Sequence, residues 1–346
     1  MKQRALVISG GGSKGAFSVG VVKDLMHIYQ VDFDILVGTS TGALIVPLVA
    51  LGELEQLEAL YTTVTDEQIL VKYNLGSRLN TTSVFTAGPL IDKIEAIYTD
   101  AYFDKLLASK KEIYLTTTCL QTERLVVFTT AQHAPSAPFY ELQQIVNADQ
   151  LRRAILASAS QPVFMPPVKV NKNLPGAAFP DHQFVDGGVR EYAGLAIAID
   201  AGADEIFTTI HVAKNARHSH EQLNNLFAVL QKTISIFITD VGDNDLNIPN
   251  MYNEALLYIS GVKQKMRKAG VSDALIDEYF VIGQPGNRFR GKEPVKIHII
   301  QPEENLGGGP GGLVFHPDEM KDMLLKGQLA LQTFVAHLNK EDIDWA

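Results

Sequence analysis

A β-α-β unit in the first 37 residues constrains the fold more than any other feature. Ala5-Leu6-Val7-Ile8 is an apolar run of strand length, and Phe33-Asp34-Ile35-Leu36-Val37 is a second. Between them, Ala16 to Tyr29 carries Phe17, Val21, Val22, Leu25 and Ile28 at helical spacing. Two strands joined through a helix in this way imply a parallel sheet with a right-handed crossover.

Each strand of the unit runs into a glycine turn. After the first comes Gly10-Gly11-Gly12-Ser13-Lys14-Gly15, and after the second Gly38-Thr39-Ser40-Thr41-Gly42. The second turn has the spacing G-x-S-x-G between a strand and an apolar helix opening at Ala43-Leu44-Ile45-Val46. A serine held there projects its hydroxyl from a sharp turn, and the helix behind it aims N–H groups and a positive dipole end at the same spot. The first turn admits three readings. It is no P-loop, because Lys14 is not followed by Ser or Thr. The letters of a dinucleotide-binding G-x-G-x-x-G are present from Gly10 to Gly15, but no acidic residue ends the second strand to hold a ribose. The third reading is an oxyanion hole, its amides facing Ser40 across neighbouring strand ends.

Farther along, a helix is expected from about Thr41 to Thr62, with Gly52 as a break and Pro47 as a kink or local break. Residues 64–110 read as helical and irregular, with a helix opening at Thr86-Ala87-Gly88-Pro89 and running through Tyr98. Glu112–Thr118 and Arg124–Thr130 read as an antiparallel strand pair. Ala148–Ser160 is a small-residue helix, followed by extended Phe164-Met165-Pro166-Pro167. Gln183-Phe184-Val185 is a short strand ending in Asp186-Gly187-Gly188. A helix over Tyr192–Ala201, capped by Gly202, and a strand over Glu205–Val212 come next. Helices are expected over Gln222–Asp240 and Asn253–Lys268, a strand over Val295–Ile300 and a last helix over Pro317–Leu338. Leu306–Gly312 reads as a mobile loop.

Composition removes several classes. There are 30 basic and 39 acidic residues, a net charge of −9, which argues against nucleic acid as a partner. The single cysteine, Cys119, excludes an intrachain disulfide and any Cys-rich metal site, and no metal or other cofactor is expected. The apolar run after Arg4 is too short for a signal peptide, and no stretch approaches the roughly 20 apolar residues of a membrane span. The expected setting is cytoplasmic, with signal-less secretion as the alternative. No repeat or linker-like tract divides the chain, so one domain over 1–346 is expected, its helical part 213–346 being a candidate lid or cap.

A serine nucleophile needs a base and a donor set for the oxyanion. His182, His211, His298 and His316 lie in or beside strands or at a helix start. His211 or His298 after Asp186 would fit the chain order of a Ser-acid-His triad. Asp186 is the stronger base, since it ends a short buried strand just before two glycines.

Taken in register, Gly10–Gly15, Gly38–Gly42 and Asp186-Gly187-Gly188 resemble the three signatures of the patatin-like phospholipase family. Ala157-Ser158-Ala159-Ser160 with Pro162, and the segment through Ile206, extend the likeness over most of residues 5–212. The resemblance implies a three-layer α/β/α sandwich with a mainly parallel central sheet. It implies a lipid acyl hydrolase of phospholipase A or esterase type, working through an acyl-serine intermediate with a Ser-Asp dyad. It makes Ser40 the nucleophile and Asp186 the base. The amides of Gly11, Gly12 and Ser13 become the oxyanion hole, with Gly10, Lys14, Gly15, Gly38, Gly42, Gly187 and Gly188 in support. A lipid or acyl ester would be the substrate, met through transient contact with a membrane surface. Two places depart from the family pattern: Val189–Gly194 lacks an Asn-x-Pro element, and Pro47 falls in the nucleophile helix. The alternatives are a nucleotide-binding oxidoreductase using Gly10–Gly15 and a non-catalytic lipid-binding regulator.

Overall fold

The computed structural model describes residues 2–69, 71–72, 82–132, 139–216, 222–280, 289 and 292–338. Residues 70 and 73–81 of the irregular 64–110 stretch lie outside the described residues, as do 217–221 and parts of the C-terminal third. Strands β1 (Arg4–Ile8) and β2 (Ile35–Gly38) flank α1 (Gly15–His27) and pair in parallel, with Val7 opposite Val37. The nucleophile-turn helix α2 spans Thr41–Ala50, and α3 spans Leu54–Thr63. The break thus comes at Gly52 and not at Pro47, which stays inside α2 with its carbonyl accepting from the Tyr102 hydroxyl at 2.8 Å. A small ladder of β3 (Val71–Lys72) and β4 (Phe85–Thr86) precedes α4 (Gly88–Ile97) and α5 (Asp100–Ala108).

The main sheet continues with β5 (Glu112–Cys119), β6 (Leu125–Thr129), β7 (Glu141–Gln144) and, after α6 (Ala148–Ala159), β8 (Phe184–Asp186). After α7 (Leu195–Asp200) come β9 (Glu205–Thr209), α8 (Leu226–Lys268), α9 (Asp273–Phe280), β10 (Lys296–Ile300) and α10 (Pro317–His337). The strand order is β10-β9-β1-β2-β5-β6-β7. From β10 to β5 all neighbours are parallel, and β6 meets β5 antiparallel, as the hairpin spacing predicts.

Alternation along the strands builds two cores. Leu6, Ile8, Leu36, Ile113, Leu115 and Phe207 face a core shared with α1, α2, α3, α6 and α10. Ala5, Val7, Ile35, Val37, Tyr114 and Ile206 face a second core beneath α7 and α8. Helices on both faces of a mostly parallel sheet make the three layers expected. On the first face, α1 and α10 touch backbone to backbone. A Cβ at Gly20 would fall on the Leu324 carbonyl, and one at Gly327 on the Phe17 carbonyl.

Several expectations need correction. The two helices over Gln222–Asp240 and Asn253–Lys268 are one helix of 43 residues. Poor helix formers between them (Gly242, Asn244, Asn247, Pro249) suggest a break, but tertiary contacts override propensity there. Gly242 packs on the Tyr192 ring, Pro249 is buried, and Asp245 accepts from the Tyr192 and Ala193 amides. The helix expected from Tyr192 starts only at Leu195, because those amides are drawn to Asp245 and Gly194 sits in the left-handed region at φ 70°. Of the extended run expected over 164–167, the first two residues instead belong to a turn over 162–165, with Val163 at φ 71°. The strand over Glu205–Val212 ends at Thr209, and β7 is an edge strand that its polar sequence hides. The Leu306–Gly312 loop is packed, with the Gly312 carbonyl held against Gly12 and the Gly308 amide bonded to Glu319 at 3.0 Å.

The α1–α10 contact leaves no room for a side chain. Gly327→Val is expected to lower the unfolding free energy by about 1–3 kcal/mol through overpacking, read as an earlier urea midpoint.

Candidate active site

Ser40 and Asp186 come together through one strand. On a single edge of β5, β2 pairs with Glu112–Leu115 and β8 with Thr117–Cys119. The two run toward each other, so Gly38 (opposite Leu115) and Asp186 (opposite Thr117) lie two residues apart along β5. Ser40 is two residues beyond Gly38.

The serine turn is strained and braced. Ser40 adopts φ 56° and ψ −117°, a region that non-glycine residues rarely enter and that costs on the order of 1–3 kcal/mol. Its amide donates to the Ser158 hydroxyl at 3.0 Å, and the Thr39 amide donates to the Ile8 carbonyl at 3.0 Å. Thr116 donates to the Thr39 hydroxyl at 2.8 Å. Gly42 lies against the Ile8 carbonyl, and Gly38 against the backbone of Gly42, so the turn closes as tightly as G-x-S-x-G implies. Behind it, Thr41 and Tyr61 share a short hydrogen bond beside Gly15.

Asp186 is buried. Its Oδ1 accepts from the Gly188 amide at 2.7 Å, and its own amide donates to the Ser160 carbonyl at 2.9 Å. Burial raises its pKa to about 6, against the lowering effect of hydrogen bonds from the Ser40 hydroxyl and the Gly188 amide. Gly187 packs on Thr116, the residue that holds Thr39.

The glycine loop faces this pair. Gly10, Gly11, Gly12 and Lys14 line the same cleft as Ser40 and Asp186. Among the described residues, the Gly11 and Gly12 amides have no acceptor. Gly12 is at φ 58°, and a side chain there would strike the Gly312 carbonyl. Ser13 belongs to the short 3-10 turn Gly12–Lys14. Its hydroxyl is buried without a partner among the described residues and turned toward Gly308. Burial, reinforced by the like charge of Lys232, lowers the Lys14 pKa.

His211 lines the same cleft but has both ring nitrogens engaged: Nδ1 donates to the Gly10 carbonyl at 2.7 Å and Nε2 accepts from Ser18 at 2.8 Å. Burial lowers its pKa to about 4, so it is neutral. His298 pairs with Glu205 at 3.0 Å, and Arg4 meets the same carboxylate at 3.1 Å, at the opposite end of the strands. His182 stacks on Phe179, and His316 precedes α10.

Three functional elements escape sequence reasoning. Ser158 is visible only as one small residue in a helix. Tyr192 wedges its ring between Gly10 and Gly242 and hydrogen-bonds Ser9 and the His211 backbone. The cleft, about 200 Å³, also has an apolar arm formed by Leu44, Leu90, Ile94, Tyr98 and Met165, side chains from several elements. Among the described residues, no helix is long and apolar enough to cross a membrane, and no group of three or more His, Cys, Asp or Glu could hold a metal.

A mostly parallel sheet flanked by helices thus carries a serine turn and a carboxylate at neighbouring strand ends. A family model described as patatin-like phospholipase matches residues 6–199, more than half of the chain, and the chain belongs to that family. Over 65 residues it is 46% identical to a cUMP-AMP-activated phospholipase of Escherichia coli, a match covering 17% of this chain and only a fifth of that protein. The crystal structure of VipD from Legionella pneumophila aligns over 97% of this chain and 67% of its own, at 10% identity and a TM-score of 0.43.

Removing the Ser158 hydroxyl leaves the Ser40 amide unpaired inside the protein. Ser158→Ala is expected to cost about 1–3 kcal/mol of stability, measured by urea denaturation.

Proposed function

We propose that this protein hydrolyses acyl esters of lipids, with Ser40 as nucleophile and Asp186 as base. One observation carries this reading: a strained serine and a buried carboxylate meet in a cleft lined by glycines whose amides have no acceptor among the described residues, and by an apolar arm. Ser40 Oγ attacks the ester carbonyl carbon while its proton passes to the Asp186 carboxylate. The Gly11 and Gly12 amides, with that of Ser13 at the start of the helix, receive the oxyanion. Collapse expels the alcohol, which takes the proton from Asp186 and leaves an acyl-serine. A water molecule, deprotonated by Asp186, then attacks the acyl carbonyl, and Ser40 recovers its proton as the fatty acid leaves.

No step needs histidine, in keeping with both His211 ring nitrogens being taken, Nδ1 by the Gly10 carbonyl and Nε2 by Ser18. A dinucleotide site is disfavoured, since Ser40 occupies the place of the acid that would hold the ribose.

Ser40→Ala and Asp186→Asn are each expected to abolish hydrolysis of a p-nitrophenyl acyl ester while far-UV circular dichroism is retained. Full turnover by Ser40→Ala would overturn the reading. A fluorophosphonate probe is expected to label Ser40 in the parent. Only the Asp186 carboxylate accepts a proton, so kcat/KM is expected to rise with pH, inflect near 6 and level off above it.

A further inference from the structure

The amides of Gly11 and Gly12 are set by different means. The Gly11 carbonyl accepts from the Lys14 amide at 3.2 Å and packs on Gly312, which orients the peptide that ends in the Gly12 N–H from within the loop. The Gly10 carbonyl is held from outside it, by His211 Nδ1 at 2.7 Å. That nitrogen is pressed close: a Cβ on Gly11 would fall 2.6 Å from it. Ser40 adjoins the same peptide, since a Cβ on Gly10 would fall 3.2 Å from the Ser40 Cβ.

Glycine stands on both sides of the Gly10–Gly11 peptide, and Gly11 is at φ 156°. A peptide between two glycines can turn over at little steric cost. Its two faces differ in sign. The peptide is planar and trans, so its C=O and N–H point opposite ways. With the carbonyl on His211, the Gly11 N–H points to the other side, where it has no acceptor among the described residues. Turned over, the same peptide would present an oxygen there and repel a developing oxyanion.

Hydrogen bonds behind the peptide run in one direction. A carbonyl only accepts, so Nδ1 carries the ring proton and Nε2 of the neutral ring accepts the Ser18 hydroxyl at 2.8 Å. Ser18, its own proton used, accepts from the Thr209 hydroxyl at 2.7 Å. All three side chains are buried. Thr209 ends β9 and Ser18 lies in α1, so the ring is tied to the sheet and to a helix. The other neutral tautomer would set a bare nitrogen against the Gly10 carbonyl.

We propose that His211 is a positioning residue for the oxyanion site: it holds the Gly10 carbonyl so that the Gly11 N–H, and not an oxygen, meets the substrate oxygen as charge develops on it. The role rests on the acyl-hydrolase reading above. His211 exchanges no proton with Ser40 or with the substrate; it acts through the peptide alone.

Two amide side chains separate the two ring nitrogens. Asparagine sets its nitrogen at the level of Nδ1 and keeps the bond to Gly10. Glutamine reaches the level of Nε2 and keeps the bond to Ser18. The test is steady-state hydrolysis of a p-nitrophenyl acyl ester, with the folding of each variant checked by urea denaturation. His211→Leu is expected to lower kcat about a hundredfold with little change in KM, the scale of losing one oxyanion donor. His211→Asn is expected to recover most of that loss and His211→Gln little of it. Equal kcat in the Asn and Gln variants, or parental kcat in His211→Leu, overturns the role. Nitrogen NMR of the parent reads the anchor without any variant: the His211 ring is expected to carry its proton on Nδ1 at neutral pH, and a ring protonated on Nε2 alone overturns the proposal. If the parent hydrolyses no ester while His211 carries the Nδ1 proton, the acyl-hydrolase reading fails and the peptide anchor stands.

Discussion

The candidate site depends on the hydrogen-bonded edge of β5. One edge of this strand carries β2 and then β8, head to head, which brings residue 40 to residue 186, and the end of α6 ties both through Ser158 and Ser160. The ladder sets their separation in steps of one residue. The glycines at 38, 42 and 187 let the flanking backbones close to the distance that the ladder dictates. Thr116, in the middle of β5, binds the turn through Thr39 and supports Gly187 from below. The strand thus serves as a common ruler for both halves of the pair.

A second layer of contacts holds the glycine loop in place. His211, Ser9 and Tyr192 form a buried polar group around Gly10, and Tyr192 is held by Asp245 of α8. Asp245 and Glu191 are half-buried carboxylates, and withdrawal from water raises both pKa values, that of Glu191 further through the like charge of Asp245. The cover helix and the glycine loop are thereby parts of one hydrogen-bonded structure. A change in the docking of α8 would be felt at Gly10 through the Tyr192 ring.

Much of this was legible in the chain before folding was considered. The β-α-β unit, the antiparallel β5–β6 pair and the short strand ending at Asp186 follow from apolar runs and turn residues, which act locally. Ser40, Asp186 and Gly10–Gly12 could be singled out because a turn that admits only glycine leaves a mark at each position. What stayed hidden was decided by distant partners. Gly242 and Pro249 belong in a helix only because Tyr192 and the core receive them. The start of α7 is delayed by Asp245, some fifty residues away. The Leu306–Gly312 loop reads as mobile because glycine is permissive, whereas here it is used for close packing on Gly12.

The backbone contact between α1 and α10 bears on how the chain can be made. Helix α1 is synthesised long before α10, yet the groove at Gly20 is filled by residues 324–328. Until that segment emerges, Phe17, Val21 and their neighbours in the first core lack their lid, and the nascent sheet has one raw face. Sequence-distant contacts of this sort slow folding and lengthen the time that sticky surface is on show. Assembly of the Gly10–Gly15 loop, which precedes α1 and packs on Gly312, therefore waits for the residues around 312. A half-made chain would be without a finished cleft.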